Sequence, residues 1–319
     1  MTISKEMKIP TIDFCKLELK SGSAQLVSTR SQVVQALKEY GCFLAIYDKV
    51  SKETREAIFD KSKEIFEFPL ETKMKNFSTK NPLDGYKGQF PQLPLYESLC
   101  IADLVKPQTV ETFANIFWPH GNPDFFRAYD SYAKPLVELD EMIKRMVLES
   151  LELNDYIDEL LDNNVYNSRF SHYKKAAQNE DALNKLGLTI HTDSGFLTMI
   201  AQNSVNGLEV LTKDGEWIDV DIAPNSFFVL SGDSFMAWTN GRLHSPAHRV
   251  TMAGDSDRFS IPLFSAPKPG YTIEAPKELV DEEHPLLFKP FEILELFEYI
   301  TRGPGRKAGA DAFKDYCGV

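Results

Sequence analysis

The chain has 319 residues, 43% of them hydrophobic and 26% charged, a balance that excludes a disordered or fibrous chain and supports a large buried core. The formal net charge of −12 repels phosphate backbones and anionic lipid, so neither nucleic acid nor a membrane surface is an expected partner. Cys15, Cys42, Cys100 and Cys317 form no C-x-x-C pair, which points away from a disulfide framework or thiolate zinc site and towards a reducing compartment. Residues 1–5 begin no long apolar run, and no stretch of about 18 apolar residues occurs, so a cytoplasmic protein is expected.

Ile9-Pro10-Thr11-Ile12-Asp13-Phe14 reads as a short strand with a proline at its edge. Residues 23–40 place Leu26, Val33, Val34 and Leu37 at helical spacing. The apolar run 42–47 after Gly41 predicts a strand, and 51–66 predicts a second helix, ended by Phe68-Pro69. Residues 76–122, rich in Pro, Gly and aromatic side chains, read as long loops. A strong helix starts at Asp124, with Phe126, Tyr129, Tyr132, Leu136, Leu139, Ile143 and Val147 on its stripe and Pro135 as a place for a kink.

From Asn167 the period becomes strand-like. Asn206-Gly207 and Asp214-Gly215 are hairpin signals, and Gly232-Asp233 and Asn240-Gly241 punctuate further strands. About eight short strands fit between Asn167 and Phe264, the number a jelly roll needs. Residues 290–302 predict a closing helix. The expected fold is mixed α/β (α+β): a double-stranded β-helix, or cupin-like jelly roll, over residues 165–268. A helical and loop region at 1–122 and the C-terminal helix complete one unit spanning 1–319.

The chain has six histidines. In His191-Thr192-Asp193, read as a strand, alternate side chains share a face, so an imidazole and a carboxylate converge. A third ligand from a distant strand would complete a 2-His-1-carboxylate face, which holds iron(II) with positions left open. His248 heads an alternating segment, His248, Val250, Met252. Its competitor, His244, sits in turn-like sequence before Ser245-Pro246, and a rigid strand suits a ligand better. Arg258 and Ser260 share a strand face, and a guanidinium suits a carboxylate, although a surface salt bridge is the plain alternative.

These motifs carry a family resemblance. His191-Thr192-Asp193-Ser194-Gly195-Phe196-Leu197-Thr198 is similar to the H-T-D-x-x-x-L-T segment of the plant 2-oxoglutarate/Fe(II)-dependent dioxygenases. His248-Arg249-Val250 and Arg258-Phe259-Ser260 follow at matching spacings. Tyr40-Gly41-Cys42-Phe43, Phe66-Glu67-Phe68-Pro69 and Asn240-Gly241 through Ser245 also resemble family segments, so the likeness covers nearly the whole chain. It implies iron(II) on His191, Asp193 and His248. Arg258 and Ser260 would take the distal carboxylate of 2-oxoglutarate, and Tyr173 the carboxylate beside the keto group. It further implies O₂ as co-substrate, ascorbate as reductant, a small-molecule substrate, and release of succinate and CO₂; a monomer is expected.

Ser171 and Lys174 depart from the family's usual Asn and Pro, as does Tyr47-Asp48-Lys49 from its N-H-G. Residues 93–99 and 115–119 resemble the branch of alkenyl- and hydroxyalkyl-producing dioxygenases, which includes hydroxylases of steroidal glycoalkaloids. Auxin-oxidising relatives share the 191–198 stretch. The expected reaction is therefore hydroxylation of a plant-type specialised metabolite, with indole acid oxidation as the alternative. Halogenating relatives lack the carboxylate ligand, and Asp193 argues against that chemistry here. A zinc-dependent hydrolase on the same ligands has no H-E-x-x-H and leaves Arg258 and Ser260 without a role; a non-catalytic cupin-like module does not need the triad. Phe90, Tyr96, Phe117 and Trp118 are candidate pocket residues from the irregular segment.

Overall fold

The computed structural model describes residues 8–15, 23–78, 84–176, 185–307 and 311–319. Helix α1 (Ala24–Glu39) starts where the Ser23 side chain accepts the Leu26 N–H, and it buries Val33, Val34, Ala36 and Leu37. It returns the chain from strand β1 (Thr11–Asp13) to β2 (Cys42–Ile46), which pair in parallel. Ser51 caps α2 (Lys52–Glu67) in the same way. Phe68 is extended before Pro69, which ends the helix as the sequence predicts. Helix α5 (Pro123–Ser150) is capped by Asn122 and continues through Pro135.

The loop expectation for 76–122 is corrected. That segment contains strand β3 (Tyr96–Ile101) and helix α4 (Pro107–Phe117); the short helix α3 (Leu70–Lys73) precedes it. The α4 stripe Val110, Phe113, Ala114, Phe117 has helical spacing, with proline in the first turn, but flanking Pro and aromatic residues obscure it. Strand β3 is decided by pairing with β4, and its inward charge, Glu97, is met by Lys73 at 2.7 Å and by the His172 ring at 3.2 Å. Burial works against that charge, yet these partners hold the Glu97 carboxyl at about 2.

The eight strands expected in the C-terminal half are present. They are β4 (Asn164–Tyr173), β5 (Leu186–His191), β6 (Leu197–Gln202), β7 (Leu208–Leu211), β8 (Trp217–Asp219), β9 (Ser226–Ser231), β10 (His248–Thr251) and β11 (Arg258–Pro267). The larger sheet runs β1-β2-β9-β6-β11-β4-β3, so strands from the N-terminal region complete both of its edges. The smaller runs β5-β10-β7-β8. The faces between the sheets meet in an apolar cluster that includes Ile200, Phe228 and Leu230 on one side and Leu208, Val210 and Val250 on the other. The outer face of the larger sheet supplies Met199, Phe227, Val229, Ile261 and Leu263 to the core beneath α2 and α5. This is a jelly roll with a helical layer on one face.

Asp214-Gly215 joins the antiparallel pair β7–β8 as predicted. Asn206-Gly207 makes no hairpin, because β6 and β7 belong to different sheets; it carries the chain between them. A Cβ at Gly207 would stand 2.7 Å from the Thr251 carbonyl oxygen, at a backbone φ of +150°. Gly232-Asp233 opens a short helix, α7 (Asp233–Trp238), rather than a turn. The two-residue strands β12 (Thr272–Ile273) and β13 (Phe291–Glu292) pair ahead of the closing helix α8 (Ile293–Thr301). Helix α9 (Ala312–Cys317), which the sequence reading missed, follows it. Among the described residues no helix is long and apolar enough to cross a membrane.

Candidate metal centre and co-substrate site

His191 is the last residue of β5 and His248 the first of β10. The two strands are antiparallel neighbours, and these two residues face each other across the ladder, with ring centroids 4.2 Å apart. Asp193 lies beyond the strand end, a correction to the expected three-residue strand. The chain is turning there from the smaller sheet to the larger, and the Asp233 N–H holds the Asp193 carbonyl at 2.7 Å. Gly232 permits this approach, since a Cβ there would lie 2.3 Å from the Gly195 oxygen.

The Asp193 Oδ1 atom is 3.8 Å from His191 Nε2 and 3.9 Å from His248 Nε2. These distances exceed a hydrogen bond, while one ion at about 2.0–2.2 Å from each atom spans them. One ligand atom from each of the three residues lies within 4.8 Å of the others. Each imidazole is turned by a carbonyl two residues upstream: His191 Nδ1 donates to Thr189 O at 2.8 Å, and His248 Nδ1 to Pro246 O at 3.3 Å. Protonation at Nδ1 leaves the Nε2 lone pairs facing the centre. Burial, with His191 next to it, lowers His248 to about 4, so this ring stays neutral at physiological pH.

Thr198 Oγ1 donates to Asp193 Oδ2 at 2.6 Å, leaving Oδ1 free to face the histidines. Replacing Thr198 with valine is expected to weaken Fe(II) binding about ten- to a hundredfold, the usual cost of losing a partner that orients a ligand. An unchanged affinity in an Fe(II) titration would show that Thr198 does not set the carboxylate. Among the described residues Asp233 bonds neither ring nitrogen. Its carboxylate accepts the Thr192 hydroxyl at 2.8 Å, and burial, helped by the Asp193 charge, raises it to about 7. His244 lies apart: its N–H bonds Leu37 O, and burial, with Lys213 and Lys314 nearby, lowers its ring to about 4.

Arg258 opens β11 directly opposite Tyr173, the last residue of β4, and Ser260 pairs with Ser171. The Arg258 guanidinium carbon stands 4.9 Å from the Tyr173 ring centre. A Cβ at Gly187 would sit 2.8 Å from that ring, so glycine lets the smaller sheet close over it. Burial, with Tyr96 alongside, raises the Tyr173 hydroxyl to about 12 against the pull of Arg258, so it remains a donor. Arg258 is 1% exposed, and its Nη1 makes no hydrogen bond among the described residues. Two aligned imidazoles and a carboxylate fit a divalent metal, and a buried guanidinium with no carboxylate partner among the described residues fits a small dianion.

Two other residues matter here: Thr198, which closes the H-T-D-x-x-x-L-T segment but was given no role there, as a support, and Gln202, which no motif singled out and which accepts from Arg258. Their signal was the alternation Thr198, Ile200, Gln202 along β6. Of the candidate pocket residues, Tyr96 pairs with Tyr173, the rings 5.2 Å apart. Phe117 and Trp118 are corrected: they pack with Phe68, and Trp118 also against Phe125, in the helical layer, where Trp118 Nε1 donates to Glu64. Phe90 bridges to Leu93 and is half-buried.

Residues 161–267 match the family profile of the 2OG-Fe(II) oxygenase superfamily, and 9–119 match that of the non-haem dioxygenase in morphine synthesis N-terminal region. The chain is 42% identical to "Probable 2-oxoglutarate-dependent dioxygenase AOP1.2" of Arabidopsis thaliana, over 96% of this chain and 94% of that protein. It is 30% identical to the 2-oxoglutarate-dependent dioxygenase AOP2 of the same organism, over 99% of each. The solved dioxygenase for auxin oxidation of rice superposes with a TM-score of 0.79 at 29% identity, covering 98% of this chain and all of that one. The corresponding Arabidopsis thaliana enzyme, solved with 2-oxoglutarate, gives 0.77 at 29% identity, over 87% of this chain and 100% of its own. The chain belongs to the plant 2-oxoglutarate/Fe(II)-dependent dioxygenases, in the branch of the AOP enzymes. It is an oxidoreductase that uses Fe(II) and 2-oxoglutarate.

Proposed function

We propose that His191, Asp193 and His248 hold the Fe(II), and that Arg258, Ser260 and Tyr173 hold 2-oxoglutarate, in one dioxygenase unit that hydroxylates a plant-type specialised metabolite. The observation that carries the assignment is the pair of imidazoles locked by backbone carbonyls with both Nε2 atoms facing Asp193 Oδ1. Bound Fe(II) supplies the activation of O₂ that is coupled to oxidation of 2-oxoglutarate to succinate and CO₂. The protein's part is positioning. Arg258 offers a buried positive charge to the distal carboxylate, Ser260 a hydroxyl beside it, and Tyr173 a neutral O–H donor. Tyr96 packs beside Tyr173, its hydroxyl donating to Ser98 Oγ at 2.8 Å. The apolar packing between the sheets limits water at the site. The protein is read as a cytoplasmic monomer.

A steroidal glycoalkaloid is the first substrate candidate. An indole acid is the second, favoured by the likeness to the two enzymes of auxin oxidation. The test is a metabolite panel with Fe(II), ascorbate and 2-oxoglutarate, reading succinate release and product mass. Under ¹⁸O₂ with chloride present, the product is expected to gain one labelled oxygen or lose two hydrogens, with no chlorine. The reason is that Asp193 takes the position a halide would need. A chlorinated product would overturn the coordination reading. An unlabelled hydroxyl would trace the oxygen to water, and succinate release by none of the panel would reject the substrate class.

A further inference from the structure

We propose that Gln202 is a positioning residue for 2-oxoglutarate: it aims the Arg258 guanidinium at the co-substrate while leaving its charge unneutralised. This rests on the reading that Arg258 receives the distal carboxylate.

A guanidinium carries five N–H donors in one plane. Gln202 Oε1 accepts two of them, from Nε at 3.2 Å and Nη2 at 2.9 Å, which occupy one edge of the group. The remaining donors, on Nη1 and the free side of Nη2, point away from Gln202, and Nη1 is the buried atom without a partner. One edge is therefore fixed by the protein and the other is left for an anion. Among the described residues no carboxylate pairs with Arg258; its side-chain partners are both neutral, the Gln202 amide and the Tyr173 hydroxyl. A desolvated cation in that state favours any ligand that brings a negative charge. Glutamate at 202 would supply the charge internally and remove the demand.

The amide itself is oriented. Gln202 Nε2 donates to Asn206 Oδ1 at 2.7 Å, and Asn206 Nδ2 donates to Asp221 Oδ1 at 3.3 Å. An ionised carboxylate only accepts. Asp221 thus sets the direction of the chain and leaves the Gln202 carbonyl oxygen facing Arg258. Behind the strand, Arg55 of α2 donates to the backbone oxygens of Gln202 at 3.3 Å and Ser226 at 2.9 Å, pinning the end of β6. Thr198 and Gln202 lie on the same face of β6. One strand therefore steadies both the carboxylate Asp193 and the cation Arg258.

The test compares Gln202→Glu, Gln202→Leu and Arg258→Met in the full chain. Under anaerobic conditions, 2-oxoglutarate is titrated into the Fe(II)-loaded protein, and binding is read from the visible charge-transfer band of the chelate. Fe(II) affinity and thermal unfolding with and without 2-oxoglutarate are measured alongside. Both Gln202 variants are expected to bind 2-oxoglutarate at least tenfold more weakly, with Fe(II) affinity within twofold of wild type. Gln202→Glu is expected to unfold at or above the wild-type temperature without 2-oxoglutarate and to gain less from adding it, because weaker binding stabilises less. Gln202→Leu, which takes from Arg258 the acceptor of its Nε and Nη2 donors, is expected to unfold lower. If both Gln202 variants bind 2-oxoglutarate normally while Arg258→Met does not, the positioning role is overturned and the Arg258 reading stands. Normal binding by Arg258→Met overturns the Arg258 reading itself. Parallel loss of Fe(II), 2-oxoglutarate and melting temperature in both Gln202 variants would show a structural role alone and also overturn the inference.

Discussion

Replacing His191 or His248 with alanine is expected to abolish Fe(II) binding and succinate release, while His244→Ala keeps most of both. Losing a group one step removed from a metal costs about ten- to a hundredfold in affinity, so losing one of three protein ligands should exceed that. Neither remaining donor can move in to compensate. The partner imidazole is tied through Nδ1 to its own backbone carbonyl, and Asp193 is tied to Thr198 and, through its carbonyl, to Asp233. His244 is held elsewhere, on Leu37. Iron content and 2-oxoglutarate turnover of the three purified variants decide the matter. An active His248→Ala beside a dead His244→Ala would transfer the ligand role to His244.

Arg258→Lys is expected to raise the KM for 2-oxoglutarate about tenfold to a hundredfold, about 1.4–2.8 kcal/mol at tenfold per 1.4 kcal/mol, with a smaller loss in kcat. The charge survives the change, but the planar arrangement of donors does not. An ammonium cannot bond Gln202 along one edge and present a second edge to a carboxylate. Tyr173→Phe removes one hydrogen bond of about 1 kcal/mol and should move KM in the same direction by less. An unchanged KM for 2-oxoglutarate in Arg258→Lys would remove this residue from the co-substrate site.

The three residues proposed to hold the metal could be singled out in the sequence because each stands in a short motif whose chemistry is local. His191-Thr192-Asp193 brings two ligand types within one turn of chain. His248 and Arg258 each head a segment with a period of two, which survives in β10 and β11. The jelly roll was legible for the same reason, since eight short apolar runs separated by turn residues have few other ways to bury their faces. Phe68-Pro69 also marked the end of α2 locally.

What only the tertiary structure decided is everything that depends on which strand lies beside which. The pairing of His248 with His191 brings together residues far apart in the chain, and their carbonyl anchors follow from the backbone turning at Pro246 and at the end of β5. The same holds for Asn206-Gly207. Its dipeptide chemistry suits a two-residue hairpin, yet the strands on either side find better burial in opposite sheets, and the turn becomes a crossing. Strand β3 was invisible because it lies among Pro, Gly and aromatic residues that read as loop, and its buried Glu97 is accommodated only once Lys73 and His172 are folded against it. Gln202 passed unnoticed because an amide at a strand end announces nothing by itself. It acquires a role when β11 places a buried, unpaired guanidinium beside it, and residue spacing carries no record of that desolvation.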